Sequence, residues 1–416
     1  MTLKQTPDDF RVQEVLADDL LQAVRQQPGG HALYQLDKRN LTTHEALELA
    51  ARSLHVRLGS FHSAGLKDKH AQTSQFITVA CEGMTAPAPE TLSGQDWKMQ
   101  RVGYLDAPIT SAAIAANRFE VVLADLNDAS ATLLRERYQM LLWPPVPKQV
   151  GASGKGLTSS GNRQLLFVNY FGEQRFGSAR HGQGFLAWHL IKGEFEAAMQ
   201  LAIATPSRQD RRQDKRNREM IARHWGQWEN LLRRLPRCPE RPAVEELARG
   251  GDFRSAFRCM PYLFQQLTLE AYQSHLWNLT ARAFLRQSLP EVECVAISTP
   301  YAKLPLPPAA AVSPELAEMA LPLLRRNSPL EEPWAAAAKA VLDKHEITTH
   351  ELQIPGLDKP YFGKGQRRLF IIARDVTMTE DKPAADAGES KRRRCRLCFS
   401  LPRGAYATVL LRALGQ

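Results

Sequence analysis

The stretch HSAGLKDKHAQTSQFITVAC, residues 62–81, sets a glycine, two lysines, an aspartate and a histidine just ahead of a run that alternates like a strand. From Phe76 to Cys81 the alternation places Ile77, Val79 and Cys81 on one face. The charged segment before it reads as a loop that carries Asp68 to a loop–strand junction. A turn accounts for Gly65 and a solvated loop accounts for the charges, but neither requires the whole set. A phosphatase-type aspartate needs a second aspartate two residues on, where His70 stands. A metal carboxylate needs a spaced set of acids or histidines, and His70 alone does not supply one. What is left is one carboxylate between Lys67 and Lys69, cations that favour its charged form. That set suits a nucleophile or base working beside phosphates.

Outward from this loop, the N-terminal part alternates strands and one clear helix. Residues 6–10 form a turn into FRVQEVL, a strand with Phe10, Val12 and Glu14 on one face. HALYQLDKR continues as a second strand, Ala32, Tyr34 and Leu36 opposing Leu33 and Gln35. Thr42 with Glu45 makes a capping box for a helix through Leu47, Ala50, Leu54 and Leu58, which Gly59 should end. Residues 83–95 read as a loop and NRFEVVL (117–123) as a strand. Residues from about 180 to 290 are helical and charge-dense, and another helix is expected at 333–345. Strand patterns return in RRLFIIARDV (367–376) and CRLCFSLP (395–402), around a hairpin loop DKPAADAGESKRRR, before a closing helix YATVLLRAL. A β-rich start, a helical middle and a β-rich end indicate one α+β domain interrupted by an insertion.

The 416 residues exceed one compact core, so two or three domains are expected. Lysine and arginine number 54 against 44 acids, giving +10, a balance that favours a polyanionic partner. No run is long and apolar enough for a membrane span. The start lacks the pattern of an export signal, and six scattered cysteines make no disulfide framework. A cytoplasmic protein is expected. Cys395 and Cys398 form a C-x-x-C, but a zinc site needs a second ligand pair, so they read as strand cysteines.

Two further motifs have simpler explanations. GASGKGLTSSG resembles a phosphate loop, yet Gln149 and Gly156 stand where a Walker A loop needs glycine and serine or threonine. No nucleotide cofactor is expected. RQDRRQDKRNRE (208–219) carries six basic residues and three acids. Asp214 and Arg218, four apart, suggest a solvated helix with internal ion pairs; the alternative is a face that grips an RNA backbone.

AGLKDKHAQTSQ (64–75) resembles the active-site motif of the TruD family of tRNA pseudouridine synthases. LKQTPDDFRVQE (3–14), HALYQLDKRNLTTHEAL (31–47), NRF (117–119), NYFGEQRFG (169–177) and SLPRGAYATVLLRAL (400–414) are similar to further family motifs, in family order. The resemblance implies a pseudouridine-synthase-like catalytic domain, 1–177 with 356–416, whose mixed or antiparallel sheet is flanked by helices. A mostly helical TRUD-type insertion domain, 178–355, interrupts it. It implies isomerisation of uridine to pseudouridine in tRNA, at uridine 13 of tRNA(Glu) in the D-arm, with no cofactor and no metal. Asp68 is then the catalytic carboxylate, attacking the nucleoside or taking a proton from the ribose. Lys4 would keep it oriented, Lys67 would serve the phosphates, Phe119 would stack on the base, and Asn117 would bond the uracil edge or hold the loop. Phe10, Glu14, Tyr170 and Arg175 are placed around the same cleft. The alternative is a non-catalytic RNA-binding protein or chaperone that retains the fold. One departure stands out: APITSAAIAANRF (107–119) replaces a basic, Gly-containing run ending in Lys-Gly. That puts the usual contact from this run, and with it the RNA target, in question.

Overall fold

The computed structural model describes residues 6–69, 71–82, 84, 86–144, 159–207, 210–381 and 393–415. Lys4, the glycine- and lysine-rich GASGKGLT segment and the expected hairpin loop at 382–392 lie outside the described residues. Two compact units divide the chain: Met1–Phe167 with Ile371–Gln416, and Val168–Phe370.

Following the chain, the first unit opens with β1 (Phe10–Leu16), β2 (His31–Arg39), β3 (Phe61–Ser63), β4 (Gln72–Ala80), β5 (Thr91–Gly94), β6 (Trp97–Leu105), β7 (Ile114–Leu126), β8 (Leu142–Trp143) and β9 (Ser159–Val168). The second unit carries two small ribbons, β10 (Val295–Ser298) with β11 (Lys303–Leu306) and β12 (Ala320–Pro322) with β13 (Gln366–Arg368). The chain then re-enters the first unit through β14 (Phe370–Asp381) and β15 (Arg393–Pro402) and ends in the helix Ala407–Ala413.

One mixed sheet organises the first unit, in the order β5-β6-β2-β4-β1-β7-β15-β14-β9-β8, with β3 pairing β4 at the side. β1 runs parallel to β4, while its other neighbour β7 is antiparallel. β15, from the far end of the sequence, pairs with β7 over most of its length, so the two ends of the chain form one sheet. The α+β architecture expected from the sequence is the observed one.

Successive side chains of a strand point to opposite faces, and each face of this sheet carries a buried cluster. On one face Tyr34, Leu36, Ile77 and Val79 pack on Ala46, Leu47, Ala50 and Ala51 of the helix Thr43–Leu54. On the other, Leu16, Leu33, Leu105, Ile109 and Ile114 form a second cluster. The capping box at Thr42 and Glu45 is present. The helix stops at Leu54, not at Gly59, because His55 turns left-handed (φ 53°). Leu58 therefore belongs to a separate 3-10 turn. The segment expected as a loop at 83–95 contains β5, and the strand expected at 117–123 extends to 114–126 because both its flanks are paired.

In the second unit the 27-residue helix Tyr262–Ser288 is buried around much of its circumference, through Leu269, Tyr272, Leu276 and Trp277 among others. It packs against the helix Ala335–Lys344. The unit also takes in Tyr170, whose hydroxyl donates to the Pro305 carbonyl at 2.9 Å, and Phe171, whose N–H donates to Asn278 Oδ1 at 2.8 Å. The segment 178–355 lies within it. The expected internal pair between Asp214 and Arg218 gives way to another arrangement. On the helix Arg212–Arg223, Arg218 turns inward and is held by Asp210 at 2.8 Å and Glu240 at 3.0 Å.

Candidate active site

Register across five adjacent strands of the first unit builds the floor of the site. Lys38 of β2 stands beside Thr73 of β4, Thr73 beside Val12 of β1, Val12 beside Phe119 of β7, and Phe119 beside Phe399 of β15. One step along, Glu14 stands opposite Asn117. Cross-strand partners share a face, so these side chains lie on the side of the sheet that receives the helix Thr43–Leu54. Phe119 is 8 % exposed; its ring stacks on Phe399 at 5.2 Å and meets Phe10 edge-on at 6.1 Å.

The loop between β3 and β4 brings Asp68 to this face. Its neighbours are bound into the protein one by one. The Lys67 N–H donates to Thr43 Oγ1 at 3.0 Å, and that hydroxyl in turn donates to Gln75 Oε1 at 2.9 Å. The Lys67 ammonium reaches down to Glu14 at 2.7 Å and donates to Asn117 Oδ1 at 2.9 Å. The Glu14 side chain is 1 % exposed, and its second oxygen accepts the Phe76 N–H at 2.7 Å. Lys69 pairs with Glu45 at 2.8 Å. That ion pair, with the N–H and hydroxyl of Thr42, holds the Glu45 carboxyl well below the usual carboxylate range. Asp68 itself is exposed.

The lysines flanking Asp68 in sequence thus have carboxylate partners of their own. A third cation, absent from the sequence reading of the site, lies beneath. Lys38 is 2 % exposed, and its ammonium donates to the carbonyls of Leu41 at 2.7 Å, Asp68 at 2.9 Å and Lys67 at 3.5 Å. Burial pushes its pKa down to about 8, against the opposing pull of Asp68 and Glu45. A signal for it was present: the alternation that buries Tyr34 and Leu36 continues to Lys38. Thr43, Gln75 and Phe399 were likewise not singled out.

The structure brings Phe10, Glu14, Lys67, Asp68, Asn117 and Phe119 together in the first unit. Tyr170 and Arg175 belong to the second. There Tyr170 is buried, and Arg175 pairs with Glu270 at 2.7 Å and bonds Ser274. The atypical run before Asn117 packs inward through Ile109, Ala113 and Ile114, and Arg403 donates to the Ser111 carbonyl at 2.6 Å. Among the described residues, no group of three or more histidine, cysteine or acidic side chains is arranged to hold a metal, and no helix is long and apolar enough to cross a membrane.

A mixed sheet closed by both chain ends, with one exposed aspartate on a loop fastened above an aromatic and amide floor, defines a class that comparison identifies. A family model described as tRNA pseudouridine synthase D (TruD) matches residues 1–299 and 305–414. The chain belongs to that family. It is 27 % identical over 422 residues to tRNA pseudouridine synthase D of Aquifex aeolicus, covering 99 % of this chain and 97 % of the relative. It is 26 % identical over 426 residues to a Methanococcus maripaludis protein named "Probable tRNA pseudouridine synthase D 1", covering 99 % and 98 %. Its fold matches a crystal structure from Methanosarcina mazei described as "Putative tRNA pseudouridine synthase D (TruD)", with a TM-score of 0.67 at 21 % identity, over 99 % of this chain and 92 % of the other.

Proposed function

We propose that the protein isomerises uridine to pseudouridine in tRNA, with Asp68 as the catalytic carboxylate. The observation that supports this reading is how the loop is fastened: Lys67 is held by Glu14 and Lys69 by Glu45, on the face that carries Asn117 and Phe119, and Asp68 lies between them at the surface. The reaction breaks the bond from ribose C1′ to uracil N1, turns the base, and joins C1′ to C5. C5 loses a proton and N1 gains one, so no redox partner or energy source enters. Asp68 either attacks the nucleoside or takes a proton from the ribose. Glu14, Lys67 and Asn117 fix the loop against β1 and β7. Phe119, backed by Phe10 and Phe399, supplies the apolar surface for the base, a contact worth about 1–3 kcal/mol toward the few kcal/mol that flipping requires.

Following the family resemblance, the target is uridine 13 of tRNA(Glu). The catalytic domain is 1–177 with 356–416 and the insertion domain 178–355, and the enzyme acts in the cytoplasm. The net charge of +10 supports a polyanionic substrate. The test uses tRNA tritiated at uracil C5. The parent protein should release label, and Asp68→Asn should lose release by orders of magnitude while still binding tRNA. Parent-like release from Asp68→Asn would remove the assignment, and no release from the parent would favour a binding protein without turnover.

A further inference from the structure

A buried ammonium group is costly unless its hydrogens are all received. At Lys38 the face of β2 continues from Tyr34 and Leu36, where an apolar side chain would pack without that cost. What the lysine does there is reach three carbonyl oxygens, those of Leu41, Lys67 and Asp68. Three N–H donors meet three acceptors, and two of the acceptors belong to the reactive loop. A neutral amine has two hydrogens and would turn a lone pair toward one of these carbonyls. The charged groups acting on it are Asp68 and Lys67 of the loop and Glu45 of the helix Thr43–Leu54. Thr73 and Trp97, its cross-strand neighbours, carry no charge.

We propose that Lys38 is a positioning residue: its ammonium group fixes the Lys67 and Asp68 carbonyls and so sets where the Asp68 carboxylate meets the ribose. The inference rests on Asp68 being the catalytic carboxylate. Displacing a reacting group by about 1 Å costs about a hundredfold in rate, and RNA affinity, dominated by backbone contacts, is little affected. The amine titrates near pH 8, inside the range an enzyme assay reaches.

The experiment is single-turnover tritium release at saturating tRNA, from neutral to alkaline pH, for the parent, Lys38→Met and Asp68→Asn. The parent rate is expected to fall as pH rises through about 8. At neutral pH Lys38→Met is expected about a hundredfold slower, with tRNA affinity near that of the parent and the fall near pH 8 gone. A parent rate that stays level well past pH 8 overturns the proposal and needs no variant to fold. So does Lys38→Met turning over like the parent or keeping the alkaline fall. Asp68→Asn separates the two failures: parent-like release from it removes the catalytic assignment itself, whereas a silent Asp68→Asn beside a fully active Lys38→Met removes only the part given to Lys38.

Discussion

Lys67 and Glu14 show how much of the loop's rigidity rests on one pair of charges. The Glu14 side chain is 1 % exposed and that of Lys67 14 %, so the pair is shielded from the screening that makes surface pairs weak. Replacing Lys67 with methionine leaves the buried carboxylate without its cation, and a loss of about 3–5 kcal/mol in urea unfolding is expected. Adding Glu14→Gln should recover most of it, because the amide oxygen still accepts the Phe76 N–H; a double variant no more stable than Lys67→Met would show that the pair is not the cause. Asp68 and Lys67 were conspicuous in the sequence because neither a turn nor a solvated loop requires the whole set of residues around them. Lys67's partner was not, since nothing local reveals that a lysine beside an aspartate will turn to a glutamate on another strand. Lys38 was hidden for a different reason: lysines are assigned to solvent by default, although its place in the alternation was plain. Its proton also separates activity from stability. The folded pKa near 8 lies below the ~10.4 of an unfolded lysine, so between these values the unfolded chain binds more protons. Lys38 then raises stability as pH rises. A loss of rate across that window is therefore not a loss of fold through this group.

Among the elements, the helix Thr43–Leu54 was read correctly at its start because a capping box is local chemistry. Its end depends on His55 adopting a left-handed backbone, which glycine at position 59 made less visible. β5 was missed because it is four residues long, and its pairing with β6 is what makes it a strand. The helix Tyr262–Ser288 carries a pH response that its sequence does not announce. His275 on it is 8 % exposed, stacked on Phe185 at 4.4 Å and facing His345, Arg282 and Tyr301. Burial, with help from His345 and Arg282, brings its pKa down to about 3; His345 is lowered in the same direction. Between about 3 and the unfolded value of ~6.5 the unfolded chain binds more protons. The stabilising effect is therefore complete above pH 6.5 and is lost as pH falls toward 3. Between pH 7 and pH 5, a drop of about 2 kcal/mol in urea stability is expected from this histidine. His275→Phe, whatever its constant cost, should flatten that slope; an unchanged slope would assign the acid sensitivity to other groups.

For the whole molecule, the interrupted α+β layout was legible because strand patterning ended and resumed, and because β15 carries the alternation that its pairing with β7 uses. The ion pairing of the basic stretch was not, because a helix four-residue spacing cannot say which side faces the core. The structure divides that stretch by role. Arg218 is drawn inward by Asp210 and Glu240, and this fixes the helix so that Arg211, Arg212, Lys215, Arg216 and Arg223 are exposed. If tRNA is the substrate, part of the charge of +10 is spread where phosphates can reach it, and binding should release counterions in proportion to the contacts made. Replacing Arg212, Lys215 and Arg216 together with glutamine removes three such cations. For single-stranded regions each phosphate contact contributes about 0.7 to the slope of log affinity against log salt. The triple variant should therefore have a slope shallower by about 2 if all three meet phosphate. Titrations of tRNA binding at several salt concentrations read this directly, and a slope equal to the parent's means that the face touches no RNA. Arg218→Gln makes the contrast: it leaves Asp210 and Glu240 without their shared cation, so its effect belongs in urea unfolding, with the salt slope of whatever remains folded unchanged.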